Sequence, residues 1–161
     1  MGTSIIDGTI EDTQLKRAKA GIAIFSSIRF RLDDGSSRTI TKAVLKQAVA
    51  DEIKPGSRGR FYLFSAFDIG GIHGVRLAGG RSAYGFPGNN KRIFLIVTIV
   101  NILWVAARIA IDGRITFLGV GLAILGTVGF IFMRKGENEA KQQYESDGGY
   151  VAPAAPPAPA L

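Results

Sequence analysis

The sequence predicts a membrane-anchored α+β protein, with a small β-barrel over residues 1–87 and then a two-helix transmembrane hairpin. Three observations carry this. Residues 93–111 and 115–133 are nearly unbroken apolar runs, with only Asp112, Gly113 and Arg114 between them. A bilayer core of roughly 30 Å takes about 20 helical residues, so each run is long enough to span and the short link turns the chain straight back. In the front region, Ile22, Ile24, Ile28, Phe30 and Leu32 alternate with Arg29, Arg31 and Asp33, the period of a strand with one buried face. Short apolar runs broken by Asp34-Gly35, Pro55-Gly56 and Gly79-Gly80 follow, as in a small barrel of hairpins.

The elements are read in order. A first strand covers 5–11 and the alternating strand 22–32. Asp34-Gly35 then turns the chain into a return strand at 37–41, because glycine adopts positive φ at little cost. From Lys42 the spacing of Val44, Leu45, Ala48, Val49 and Ile53 becomes helical, which predicts a helix near 42–53 with Thr41 as its cap and Pro55-Gly56 as its stop. Residues 60–67 hold Phe61, Tyr62, Leu63, Phe64 and Phe67 without alternation, the pattern of a strand buried on both faces. Two shorter strands are expected at 72–77 and 82–86. Pro87-Gly88-Asn89-Asn90 opens a joint at 88–92, followed by the membrane helices at 93–111 and 115–133. The stretch 136–161 begins charged and ends almost wholly in alanine and proline, so it is expected to be a disordered tail with polyproline II bias.

A helix between the third and fourth strands is similar to the order of the five-stranded Greek-key barrel called the OB-fold, over about residues 4–86; an SH3-like barrel is the competing arrangement. The resemblance is topological and implies no activity by itself.

Net charge is +7, from 20 Lys+Arg against 13 Asp+Glu. Residues 1–87 hold 13 basic and 8 acidic side chains, an excess of +5. Such an excess suits an anionic membrane surface or nucleic acid, and equally an ordinary solvated surface. Lys91 and Arg92 flank the entry of the first span, and Arg134, Lys135 and Lys141 follow the exit of the second. The turn carries Arg108 and Arg114 beside Asp112. The outer flanks outweigh the turn, so the positive-inside rule places both termini in the cytoplasm. No signal-peptide pattern opens the chain. The expected location is a bacterial-type inner membrane, crossed twice.

Thr98, Asn101 and Arg108 share one face of the first span, and Gly119, Ala123, Gly126 and Thr127 make a close-approach face on the second. The plain reading of these residues is helix packing, with Asn101 hydrogen-bonding across the interface; the sharper one is a permeation path lined by Asn101. A basic set, Lys16, Arg17 and Lys19 in the first loop with Arg29 and Arg31 on the outer face of the second strand, is a possible anionic-ligand face. Only Phe25 could supply base stacking there, which disfavours nucleic acid. Gly70-Gly71-Ile72-His73-Gly74 lacks the Lys and Ser/Thr of a phosphate loop and reads as a turn or bulge.

The chain has no cysteine and one histidine, His73, which excludes disulfides, thiolate chemistry and any site needing two imidazoles. His73 with Asp68 and Arg76 could do acid–base work, though a lone histidine in a strand more often bonds locally. No nucleophile–base or metal constellation is visible, so no enzyme activity and no cofactor are expected. The expected function is a membrane-anchored interaction or accessory module, with a protein partner or self-association. A homo-oligomeric channel and a barrel binding an anionic ligand are the alternatives.

Overall fold

Strand β1 (Gly2–Lys19) shows how the barrel is built: its first half pairs antiparallel with β4 (Arg58–Ala66), and its second half with β2 (Ile22–Leu32). Gly8 and Thr9 lie in both ladders. Three register shifts along the β1–β2 ladder coil this long strand around the core, as bulges do in small closed sheets. β3 (Ser37–Lys46) follows β2, and β5 (Ile69–Leu77) lies beside β4. A parallel contact of Ala43, Val44 and Leu45 with Gly70, Gly71 and Ile72 joins β3 to β5 and closes the barrel in the order β1-β2-β3-β5-β4. Gly71 is required at this seam, because a Cβ there would drive into the Val44 carbonyl oxygen. β6 (Ser82–Tyr84) extends the sheet from β5. The computed structural model describes residues 2–66 and 69–153.

Ile6, Ile10, Ile28, Phe30, Leu45, Phe61 and Val75 fill the interior, with Phe30 and Phe61 edge to face at 5.0 Å. The predicted alternation of β2 holds only from Ile28 onward. Before it the buried residues are Ala23 and Phe25, while Ile22 and Ile24 turn half outward. The cause is a bulge: Gln14 pairs with Ser27 and Leu15 with Phe25, so Ser26 is the extra residue and every side chain before it changes face.

The helix expected at 42–53 is corrected to a single turn, α1 (Gln47–Ala50). Residues 43–46 are strand instead, paired with β2 on one side and, through 43–45, with β5 on the other. Two ladders outweigh a short apolar run that suits either period. Val49, Ala50 and Ile53 still pack into the core, as their spacing requires.

The chain forms two units, one of Met1–Pro87 with Glu139–Leu161 and one of Gly88–Asn138. In the second, α2 (Asn89–Asp112) begins earlier than expected and takes in most of the joint at 88–92. Gly113, in the left-handed region at φ 63°, ends it by donating to the Ile109 carbonyl at 3.0 Å. α3 (Phe117–Ser146) starts two residues later than expected and runs well past residue 133. Both helices are long and apolar enough to cross a membrane. Their outward side chains, such as Ile96, Leu103, Leu118 and Leu125, are exposed.

The disordered tail expected at 136–161 is likewise corrected: residues 136–146 are helix, and Ala140 is completely buried in the barrel unit. Ala140, Tyr144 and Asp147 recur at helical spacing and give this stretch one face that packs. Residues 154–161, most of the Ala/Pro run, lie outside the described residues, as does Phe67 of the expected fourth strand.

Candidate functional site

Two faces of the barrel carry clustered basic residues, and they are built differently. On the first, the β4–β5 register sets Arg60 opposite Arg76 and Tyr62 opposite Gly74. The segment 139–150 lies over them as a strap. Arg60 donates from Nε and Nη2 to the Asp7 carboxylate at 2.7 and 2.8 Å, and from Nη1 to Asp147 Oδ2 at 2.9 Å. The Tyr62 hydroxyl donates to the same Asp147 oxygen. Arg76 Nη2 donates to the Tyr144 carbonyl at 3.0 Å, and its guanidinium lies 4.2 Å from the centre of the Tyr144 ring. Tyr150 stacks on Arg60 at 3.9 Å. The Tyr144 ring occupies the space a side chain at Gly74 would need, since a Cβ there would lie 2.6 Å from Tyr144 Cδ2.

The electrostatics follow from that geometry. Burial works to raise the Asp147 carboxyl, but the hydrogen bonds from Tyr62 and Arg60 and the nearby Arg60 and Arg76 charges hold it below its ordinary range. Burial and then the bond to Asp147 push the Tyr62 phenol up. His73 lies beneath, fully buried among the rings of Tyr62, Phe64, Tyr84 and Phe86, at 6.0 to 6.4 Å between centroids. Neither ring nitrogen has a partner at full hydrogen-bonding geometry. Burial lowers its pKa to about 4, opposed only by the main chain of Ala140. His73 is a neutral core residue under the strap, and the acid–base role considered for it has no open site here. Its possible partner Asp68 lies outside the described residues.

On the second face the cations are open. Register places Lys19 beside Ile22 and Ile22 beside Lys46, and likewise Arg17 beside Ile24 and Ile24 beside Val44. Lys16 and Lys42 line one groove of about 520 Å³ together with Ile24, Phe25, Ser26, Thr41, Val44 and Ile69. None of Lys16, Arg17, Lys19, Lys42 and Lys46 forms an ion pair among the described residues. Lys42 itself is held at φ 53°, in the left-handed region that non-glycine residues rarely adopt.

The structure therefore splits the basic set expected from sequence. Lys16, Arg17 and Lys19 are on β1, not in a loop. Arg29 faces Asp12 across the ladder, and Arg31 pairs with Glu11 at 2.6 Å. Asp12 and Lys16 are four residues apart along β1, about 13 Å at strand rise. Phe25, expected as the exposed aromatic of this face, is only 5% exposed and belongs to the core, because the Ser26 bulge turns it inward. Lys42 and Lys46 were missed because the helix expected there carried them off the sheet, and no local pattern marks them as neighbours of β1.

In the helical unit, Gly119 and Gly126 make the close approach. A Cβ on Gly119 would lie 2.7 Å from Val105 Cγ2, and one on Gly126 2.5 Å from Thr98 Oγ1. Gly129 meets Phe94 in the same way. Ala123 and Thr127 instead flank an apolar cleft with Ile102, Val105, Ala106 and Ile109. Asn101 does not bond across the hairpin. Its Nδ2 donates to the Val97 carbonyl of its own helix at 2.8 Å, and Thr98 and Thr127 bond their own helices similarly, to Phe94 and Ala123. Arg108 pairs with Asp112 at 2.5 Å. Among the described residues no group of three His, Asp or Glu side chains could hold a metal ion.

No protein-family model, curated protein or solved structure matches this chain.

Proposed function

We propose that this chain is a membrane-anchored, non-enzymatic binding module. An OB-like barrel, on the cytoplasmic side of a bacterial inner membrane, offers one open cationic face to a partner. The observation that carries the reading is the contrast within one barrel: Arg60 and Arg76 are engaged by internal partners, while Lys16, Arg17, Lys19, Lys42 and Lys46 form no ion pair among the described residues. Unpaired charges of one sign gathered in one place raise the local concentration of an oppositely charged partner. The closure order β1-β2-β3-β5-β4 favours the OB-like arrangement over the SH3-like one, and β2 and β3 are the strands that OB-folds use for binding. Lys91, Arg92, Arg134 and Lys135 at the open ends outnumber Arg108 and Arg114 at the turn, which supports cytoplasmic termini. The amide of Asn101 is used by its own helix, which supports packing in place of a permeation path.

Because the chain lacks cysteine, placement can be read with single cysteines. Ile115→Cys in the turn should react with a membrane-impermeant maleimide in intact cells, and Lys54→Cys on the barrel only after permeabilisation. The reverse pattern overturns the proposed orientation.

A further inference from the structure

We propose that the open groove binds the headgroup of an anionic phospholipid, with Lys16 and Lys42 holding the phosphate and the outward faces of Ile24, Val44 and Ile69 receiving the adjoining apolar part. The proposal rests on the open face being the binding face. These observations carry it. Among the described residues the groove is lined by two lysines, two hydroxyl residues and apolar side chains, with no acidic one. Charge complementarity therefore asks for an anion, and the neighbouring Arg17, Lys19 and Lys46 add to the same sign.

The floor is apolar and accessible. Ile24 and Val44 are half-buried neighbours in the β2–β3 ladder, and Ile69 is 42% exposed. A bare phosphate would leave that floor wet, whereas the glycerol and first methylenes of a lipid would cover it. The lining also argues against a nucleic acid. Among the described residues its one aromatic, Phe25, is turned into the core and presents no ring for a base to stack on. Finally, Lys42 stands in a left-handed conformation beside the Ser26 bulge, and the β2–β3 register passes over both residues. Strain at a non-glycine residue lining a groove is the kind of feature that binding sites retain. The same polypeptide also carries two helices long and apolar enough to cross a membrane, where phospholipid is the surrounding solvent.

The test uses full-length protein in a neutral detergent, followed by native mass spectrometry with phosphatidylglycerol, phosphatidylcholine, inorganic phosphate or a short single-stranded oligonucleotide. The wild type should retain phosphatidylglycerol in preference to phosphatidylcholine, more weakly as salt rises. Lys16→Gln/Lys42→Gln should weaken that binding about thirtyfold, from two well-placed lysines. Arg29→Gln/Arg31→Gln should leave it unchanged, because those arginines lie elsewhere on the barrel beside Asp12 and Glu11. An unchanged melting temperature confirms that each variant is folded.

Lipid retention that survives Lys16→Gln/Lys42→Gln assigns the lipid to the helices and overturns the proposal. Binding of phosphate alone, or of the oligonucleotide, with loss in the same variant overturns the lipid assignment but keeps the binding face. Binding of none of the probes overturns the lipid and removes the support for the face as well.

Discussion

The two basic faces of the barrel use the same residue types for opposite ends. On the strapped face each guanidinium is spent: Arg60 holds Asp7, Asp147 and the Tyr150 ring, and Arg76 holds the carbonyl and ring of Tyr144. On the open face the lysines form no ion pair among the described residues, and one of them sits in a strained backbone conformation. A cation whose partners come from its own chain contributes to stability. A cation left unpaired in a groove contributes to recognition, and the fold gains nothing from it. The comparison makes a definite claim: perturbing the first face should lower stability, and perturbing the second should not lower it.

The largest effect is expected from acid. In the unfolded chain the His73 imidazole takes a proton near its ordinary pKa of 6.5, while in the folded barrel it resists until about pH 4. Between those values the unfolded form binds more protons, so lowering the pH favours opening. The contribution is fully present above pH 6.5 and is lost progressively as the pH falls through 4, by about 3 kcal/mol in all. Ala140 lies over the ring, so the strap should loosen first. Hydrogen exchange of residues 139–150 at pH 7.5, 5.5 and 4.5 checks this. His73→Phe should flatten the dependence, and a variant that keeps the full acid slope would show that another group is responsible. The depressed carboxyl of Asp147 has the same sign and acts at lower pH, where its protonation removes the acceptor for Tyr62 and Arg60.

Next in size is Arg60→Ala. It strips two carboxylates of their partner, and a hydrogen-bonded charge pair at a partly buried site is worth about 2 kcal/mol. The measurement is urea unfolding of the barrel, with Arg31→Ala as comparison. The Arg31–Glu11 pair has its arginine side chain 67% exposed, so its loss should cost less than about 0.5 kcal/mol. Equal losses in the two variants would show that the strapped arginine is worth no more to the fold than an exposed pair.

How far these differences could be read from sequence depends on what each one rests on. The hairpin was legible because two apolar runs of bilayer length leave few alternatives. The barrel was legible from the alternation at Ile28, Phe30 and Leu32, but a bulge has no composition of its own, and the inward turn of Phe25 at Ser26 was invisible. The strap could have been found. Ala140, Tyr144 and Asp147 repeat at helical spacing, yet they lie among charged residues that precede an Ala/Pro run, and the whole stretch reads as tail. Lys16 and Lys42 meet only because two ladders set their register, a long-range fact that no local pattern encodes. Sequence could name the cations; it could not sort the paired from the free.

The smallest effect sharpens the comparison most, because its sign is reversed. Lys42 stands at φ 53°, where a side chain crowds the following carbonyl and glycine does not. Replacing it with glycine relieves that strain while adding freedom to the unfolded chain, and the two terms oppose each other. The strain term is the larger, so Lys42→Gly should raise stability by about 0.5 kcal/mol. Lys42→Ala, which keeps the Cβ and loses the same charge, should not. Both should weaken phosphatidylglycerol binding. A residue whose removal improves the fold and impairs binding is held in place by what it binds. If Lys42→Gly destabilises the barrel instead, the left-handed turn belongs to the fold, and the open face carries no strain on behalf of a ligand.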